Sequence, residues 1–120
     1  MLTDLWRPIL IAWCRKIYPR VRPCFDLKKV EGLKCAVPLV NVLCERIDKD
    51  GLVVTVHDRL QIIYRDGLDQ LEMERTVAHE FGHVVAIVLS GDSTHGYFWN
   101  QIVRWIGYPE EAAKKWPDVV

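Results

Sequence analysis

Long apolar runs are missing from this sequence, and so is any net charge. No segment approaches the roughly 18 consecutive apolar residues that a membrane-spanning helix needs. Residues 1–14 carry Asp4, Arg7 and Pro8, and the apolar run at 9–14 is too short for a secretory core, so a cytoplasmic setting is expected. The four cysteines, Cys14, Cys24, Cys35 and Cys44, never fall in a C-x-x-C pair, which excludes a zinc ribbon read from their spacing. Scattered cysteines of this kind are expected as reduced, buried thiols in an intracellular protein. Repeats and low-complexity segments are absent as well. What is there is 120 residues, half of them hydrophobic and 27% charged, the size and balance of a single globular domain over 1–120.

The charges cancel overall but are unevenly spread. Residues 1–35 hold eight cations (Arg7, Arg15, Lys16, Arg20, Arg22, Lys28, Lys29 and Lys34) against Asp4, Asp26 and Glu31, a local excess of +5. A surface of that sign suits contact with DNA or with an acidic protein. The plainer reading of the same residues is a solvated face of helices and loops.

Patterning predicts an α+β chain. Leu5, Ile9, Ala12 and Trp13, with Trp6, Leu10 and Ile17 nearby, recur at helical spacing over 2–18, with Thr3 or Asp4 as N-cap and Pro19 and Pro23 as the stop. Residues 18–34 read as a basic connector. Residues 35–43 are apolar and β-branched but contain Pro38, which suits an edge or irregular strand. After the turn Asp48-Lys49-Asp50-Gly51 come strands at 52–57 and 60–64, the second expected to offer a free edge near the following helix. The result is a small, mainly antiparallel sheet of about three strands, a size that needs helices on one face. Asp69 and Glu72 form a capping box for a helix running to 89 and stopped by Gly91. A second helix is expected over 94–106, stopped by Gly107, and a third over 109–116 opened by Pro109.

The chemistry sits on the first of those late helices. His79-Glu80-Phe81-Gly82-His83 is an H-E-x-x-H motif, and residues four apart share one helix face, so two imidazoles can reach one tetrahedral Zn²⁺. Glu80 lies about 100° round the helix, where it can hold a water and move its protons. A zinc ion brings that water's pKa toward roughly 7, and Glu80 then serves as general base and returns the proton to the leaving amine. Val77, Phe81, Val84, Val85 and Val88 fall on the opposite face, which predicts one side in the core and the other on a cleft kept open by Ala86. A catalytic zinc needs a third protein ligand. Position 89 is leucine, so a histidine six residues on is excluded, leaving His95, Asp92, Glu110 and Glu111. His95 is favoured, because Trp99, Ile102, Val103 and Ile106 repeat from it at helical spacing and turn its face inward.

These residues resemble a known family. The H-E-x-x-H block, an apolar helix end and then His95-Gly96-Tyr97-Phe98-Trp99 look like the SprT-like metallopeptidase domain, with its H-E-x-x-H followed by H-G-x-x-F/W. The resemblance implies a zincin-like fold in which an N-terminal helix and small sheet precede the H-E-x-x-H helix and a ligand helix. It implies His79, His83 and His95 as ligands of one catalytic Zn²⁺ and Glu80 as the catalytic acid/base. Many members of that family carry a C-terminal zinc ribbon, from which this chain departs as an expected compact form, and the best-known members act on proteins bound to DNA. The stretch 75–83 is also similar to ImmA/IrrE-type peptidases that cut repressors, and the H-G-x-x-W block favours the first family.

Other residues carry weaker expectations. His57, at the end of a strand, could line the cleft but reads more simply as structural. Tyr97 could steady an oxyanion through its hydroxyl or pack as an aromatic with a polar tip. Asp66 or Asp69 could back a ligand imidazole, although capping explains Asp69. Trp6, Trp13, Trp105 and Trp116 read as core or interface. A different class of function, a non-catalytic zinc module binding DNA or a partner through 1–35, stands as the alternative.

Overall fold

A computed structural model describes residues 2–117, and among these described residues lie three strands and five α-helices. Helix α1 (Leu2–Val21) is longer than its prolines suggest, for it runs through Pro8 and Pro19. The missing Pro19 N–H costs one hydrogen bond, while Ile17 and Val21 stay fully buried by keeping the helical phase. The buried face is Trp6, Leu10, Trp13 and Ile17, whereas Leu5 and Ile9 are 70% and 40% exposed. Of the two overlapping apolar stripes in the sequence, the one bearing the indoles faces the core.

Residues 18–34 are not a plain connector. Asp26 caps α2 (Leu27–Ala36) by accepting from the Lys29 N–H at 2.9 Å, and Val30 and Leu33 fill the core from it. The strand expected at 35–43 is displaced. Pro38 sits in a 3₁₀ turn (Val37–Leu39) and β1 starts only beyond it, at Asn41–Glu45, because proline has no N–H to give a ladder.

Strand β2 (Gly51–Val56) and β3 (Arg59–Arg65) form a hairpin whose two-residue tip, His57 and Asp58, has φ of 50° and 63°, the left-handed pair of a type I′ turn. The sheet order is β1-β3-β2, with β1 parallel to β3 and β2 antiparallel to it. The sheet is therefore mixed rather than mainly antiparallel, and 60–64 is its centre rather than an edge. The outer edge of β1 is occupied where the Thr3 hydroxyl both donates to the Val42 carbonyl and accepts its N–H, each at 3.1 Å.

Helix α3 (Gln70–Ser90) starts on the Asp69 side chain, which accepts from the Glu72 N–H, and stops at Gly91 with φ 72°. It lies with α1 against the sheet. Trp13 meets Phe81 at 5.7 Å between ring centroids and Trp6 meets Tyr64 at 6.1 Å, so one core joins α1, the sheet and α3. Truncating a fully buried ring such as Phe81 costs ~3–5 kcal/mol. Helix α4 (Tyr97–Trp105) and the short α5 (Pro109–Ala113) close over the other side of α3. Among the described residues no helix is long and apolar enough to cross a membrane, and the four cysteines are free thiols of which, against expectation, only Cys14 is buried.

Candidate metal centre

Every residue of α3 from Thr76 to Ala86 is buried, including His79, Glu80 and His83. The histidine face is thus not an open cleft floored by Ala86, because α4 covers it. Gly82 makes that close approach possible: a β-carbon there would stand 2.7 Å from Val103 Cγ2 and 3.0 Å from Trp99 Nε1. Trp99 donates its indole N–H to the His79 carbonyl at 3.0 Å, which ties α4 to the motif helix at the ligand itself.

His95 arrives from the loop before α4, not from the helix. Gly96 is extended, and the loop is folded by Thr94 N–H donating to Asp92 Oδ1 at 2.8 Å and Gly96 N–H donating to the Thr94 hydroxyl at 3.2 Å. This carries His95 Nε2 to 3.1 Å from both His79 Nε2 and His83 Nε2. Around a tetrahedral ion with bonds of roughly 2.0–2.1 Å, nitrogen donors stand about 3.3 Å apart. The three imidazoles are therefore close enough to hold one metal ion.

The surroundings fix the donor atoms. The Glu111 carboxylate lies 3.1 Å from His79 Nδ1 and its other oxygen accepts from Lys114 Nζ at 3.1 Å. Burial raises the Glu111 carboxyl, but the hydrogen bonds from His79 and Lys114 outweigh it and hold it below the usual range. Burial holds His79 below the ordinary imidazole value, against the pull of Glu111. An ionised Glu111 thus accepts from a neutral His79, whose proton sits on Nδ1 and whose Nε2 lone pair is left for a metal.

Glu80 is buried beside this cluster, and its Oε2 has no hydrogen-bond partner. Burial first, and the nearby Glu111 charge second, push its carboxyl up to about 7, with Lys49 opposing. Gly51 at the start of β2 touches it, since a β-carbon there would stand 3.1 Å from Glu80 Cγ and 2.6 Å from Thr76 Cγ2. A carboxyl that exchanges protons near neutrality is suited to acid/base work.

The remaining sequence candidates are not among the three converging imidazoles. Glu110 is exposed and pairs with Arg75 at 3.0 Å. Asp92 serves the loop turn, and Asp69 is the α3 cap. Asp66 lies near the Cys44 thiol. Tyr97 is 81% exposed, which removes it from an oxyanion role. His57, at the hairpin tip, is six residues from Gly51, roughly 20 Å along an extended strand. From the sequence alone Glu111 is a candidate ligand only, and Trp116 is core or interface. Trp116 in fact lies against the cluster, 4.5 Å from the His79 ring and stacked on His95 at 5.9 Å, with its N–H donated to the Glu111 carbonyl. The Glu111 role follows from the need of a ligand imidazole for a carboxylate; nothing in the sequence signals Trp116.

No protein-family model, no curated protein and no solved structure matches this chain.

Proposed function

We propose that this protein is a zinc-dependent endopeptidase of zincin-like fold, of the kind the SprT-like motif implies, acting on protein substrates in the cytoplasm. The observation that carries the reading is the convergence of three Nε2 atoms with the buried Glu80 carboxyl alongside. Three imidazoles suit zinc among the common divalent ions. His79, His83 and His95 would hold it, and the bound ion would supply Lewis acidity for a water and a peptide carbonyl.

The chain's own residues account for the rest. Glu111 keeps His79 in the tautomer that presents Nε2. Glu80 takes a proton from the attacking water at Oε2 and delivers it to the departing amine. Trp99 and Trp116 flank the imidazoles and keep bulk water from that side. With β1 capped by Thr3, β2 is the sheet edge left for an extended peptide to join, and its first residue touches Glu80. Main-chain pairing of that kind favours unfolded or flexible targets.

A second reading draws on Trp116. An aromatic side chain against two of the imidazoles also suits a closed, structural metal site in a module that binds a partner or DNA. Cleavage of an unfolded protein such as casein by wild type and Glu80→Gln, with zinc content measured in both, separates the two. Zinc in both and cleavage by the wild type alone supports the enzyme. Full zinc occupancy with no cleavage by the wild type sinks it.

A further inference from the structure

Away from the histidines, α1 carries a furrow that the peptidase reading leaves unused. Between α1, the end of α2 and the 37–39 turn lies a cavity of about 370 Å³ walled by Ile11, Cys14, Tyr18, Val37 and Pro38, with Arg15 and Lys34 also lining it. Ile11 and Arg15 are shared with a second hollow of about 450 Å³ that extends along the preceding turns to Pro8, Arg7 and Asp4. Together they follow α1 from residue 4 to residue 18, about 21 Å at the helical rise. Each hollow falls in the range of roughly 300–1,000 Å³ typical of binding clefts.

The furrow's charge is mainly positive, with Arg7, Arg15 and Lys34 against the one carboxylate of Asp4. Arg15 has no ion pair among the described residues. The half-buried Arg7 meets the exposed Asp4 only at 3.6 Å, and Lys34 meets Glu31 only at 3.9 Å on the exposed surface. Such pairs are weak and readily exchanged for incoming carboxylates. The Arg7 Nε donor is buried without a hydrogen-bond partner.

We propose that this furrow docks an acidic amphipathic peptide segment of another protein, its apolar side chains on Pro8, Ile11 and Pro38 and its carboxylates against Arg7, Arg15 and Lys34. An apolar floor between cations fits a helix laid in a groove. Charge complementarity then sets orientation and partner choice. A nucleic acid fits less well: its sugar–phosphate backbone leaves the floor unburied, and Lys34 lies 4.0 Å over the Tyr18 ring, covering the aromatic face a base would stack on. The inference does not depend on the peptidase reading, because none of these residues touches the histidine cluster.

Fluorescence anisotropy on the full chain tests it. The probe is a labelled peptide of about 14 residues, the furrow's length at helical rise, with Leu and Glu alternating between faces at helical spacing. Its scrambled form, its Lys-for-Glu form and a labelled single-stranded DNA of similar length are compared with it. The patterned acidic peptide is expected to bind at least about tenfold more tightly than the other three, and less tightly at high salt. Arg15→Glu with Lys34→Glu is expected to weaken it about tenfold, and Ile11→Ser to weaken it without changing the salt dependence. Should the double reversal fail to fold by circular dichroism, Arg15→Gln with Lys34→Gln repeats the test with a smaller expected loss. The proposal is overturned if no peptide binds, if the scramble binds equally well, if DNA binds more tightly, or if the folded furrow variants bind unchanged.

Discussion

Glu111→Gln isolates what the carboxylate behind His79 contributes to metal binding. In the native arrangement one Glu111 oxygen faces His79 Nδ1 and the other faces Lys114 Nζ, both at 3.1 Å. Both partners are donors, whereas glutamine has one acceptor oxygen, so one of them must face the amide NH₂. If the oxygen stays on His79, the ring keeps its place but loses the charge that raises its basicity. If the oxygen turns to Lys114, the Nδ1–H faces another N–H, and the ring must rotate or move its proton to Nε2, where a metal would bind. Loss of such a partner weakens metal affinity by about 10–100-fold, or ~1.4–2.8 kcal/mol. Competition for Zn²⁺ against a chromophoric chelator measures this directly. Lys114→Met removes the rival donor, so the pair Glu111→Gln/Lys114→Met should recover part of the loss, and Lys114→Met alone should lose little. Wild-type affinity in Glu111→Gln would refute the reasoning, as would an equal loss in Lys114→Met alone.

Three further outcomes are expected. The folded Glu80 carboxyl, at about 7 against an ordinary 4.5, favours the fold in its protonated form; that contribution is full below pH 4.5 and is lost as pH rises through 7. Metal-free Glu80→Gln should therefore match wild type near pH 4.5 and exceed it by up to ~3 kcal/mol at about pH 8 in urea unfolding; a gap that does not widen with pH contradicts this. Gly82→Ala, whose β-carbon would press on Val103 and Trp99, should destabilise by ~1–3 kcal/mol in calorimetry, and an unchanged Tm would mean the α3–α4 contact is looser than described. Trp116→Ala should speed the loss of bound zinc to excess chelator while Trp116→Phe does not, and equal rates for all three would show that the ring shields nothing.

Much of the fold was legible where a local rule decided it. Asp69 and Gly91 bound α3 because a cap and a left-handed stop act within one turn. Strands β2 and β3 were legible as β-branched runs at 52–57 and 60–64. The sheet order was not legible, because β1 pairs with β3 across the whole hairpin and nothing local distinguishes that from pairing with β2. Helix α2 was missed although Asp26 supplies a sound cap, since only Val30 and Leu33 turn inward on it and two apolar positions make a weak period. On α1 the spacing was right but its phase was not: Leu5 and Ile9 fit a helix as well as Trp6 and Leu10 do, and the larger indole surface is the one the core takes.

The same division runs through the metal centre. His79 and His83 follow from four-residue spacing on one helix, a short-range rule, whereas the helical phase that favoured His95 stops short of it, because His95 lies in the loop before α4. Glu110 and Glu111 show where such rules stop. They are identical in type and adjacent, yet one lies on the surface against Arg75 and the other is buried against His79. What separates them is the angular setting of a five-residue helix, fixed by Asn100 donating to the Ala112 carbonyl at 2.7 Å and by Ala112 packing beside Trp99. A helix that short has no stripe of its own to reveal its phase. Its neighbour α4 sets it, and α4 is in turn held against α3 where Gly82 lets the backbones close. The carboxylate that orients the first ligand therefore depends on a glycine inside the motif, so Gly82→Ala should weaken zinc binding as well as folding, and should do so with Glu111 itself untouched.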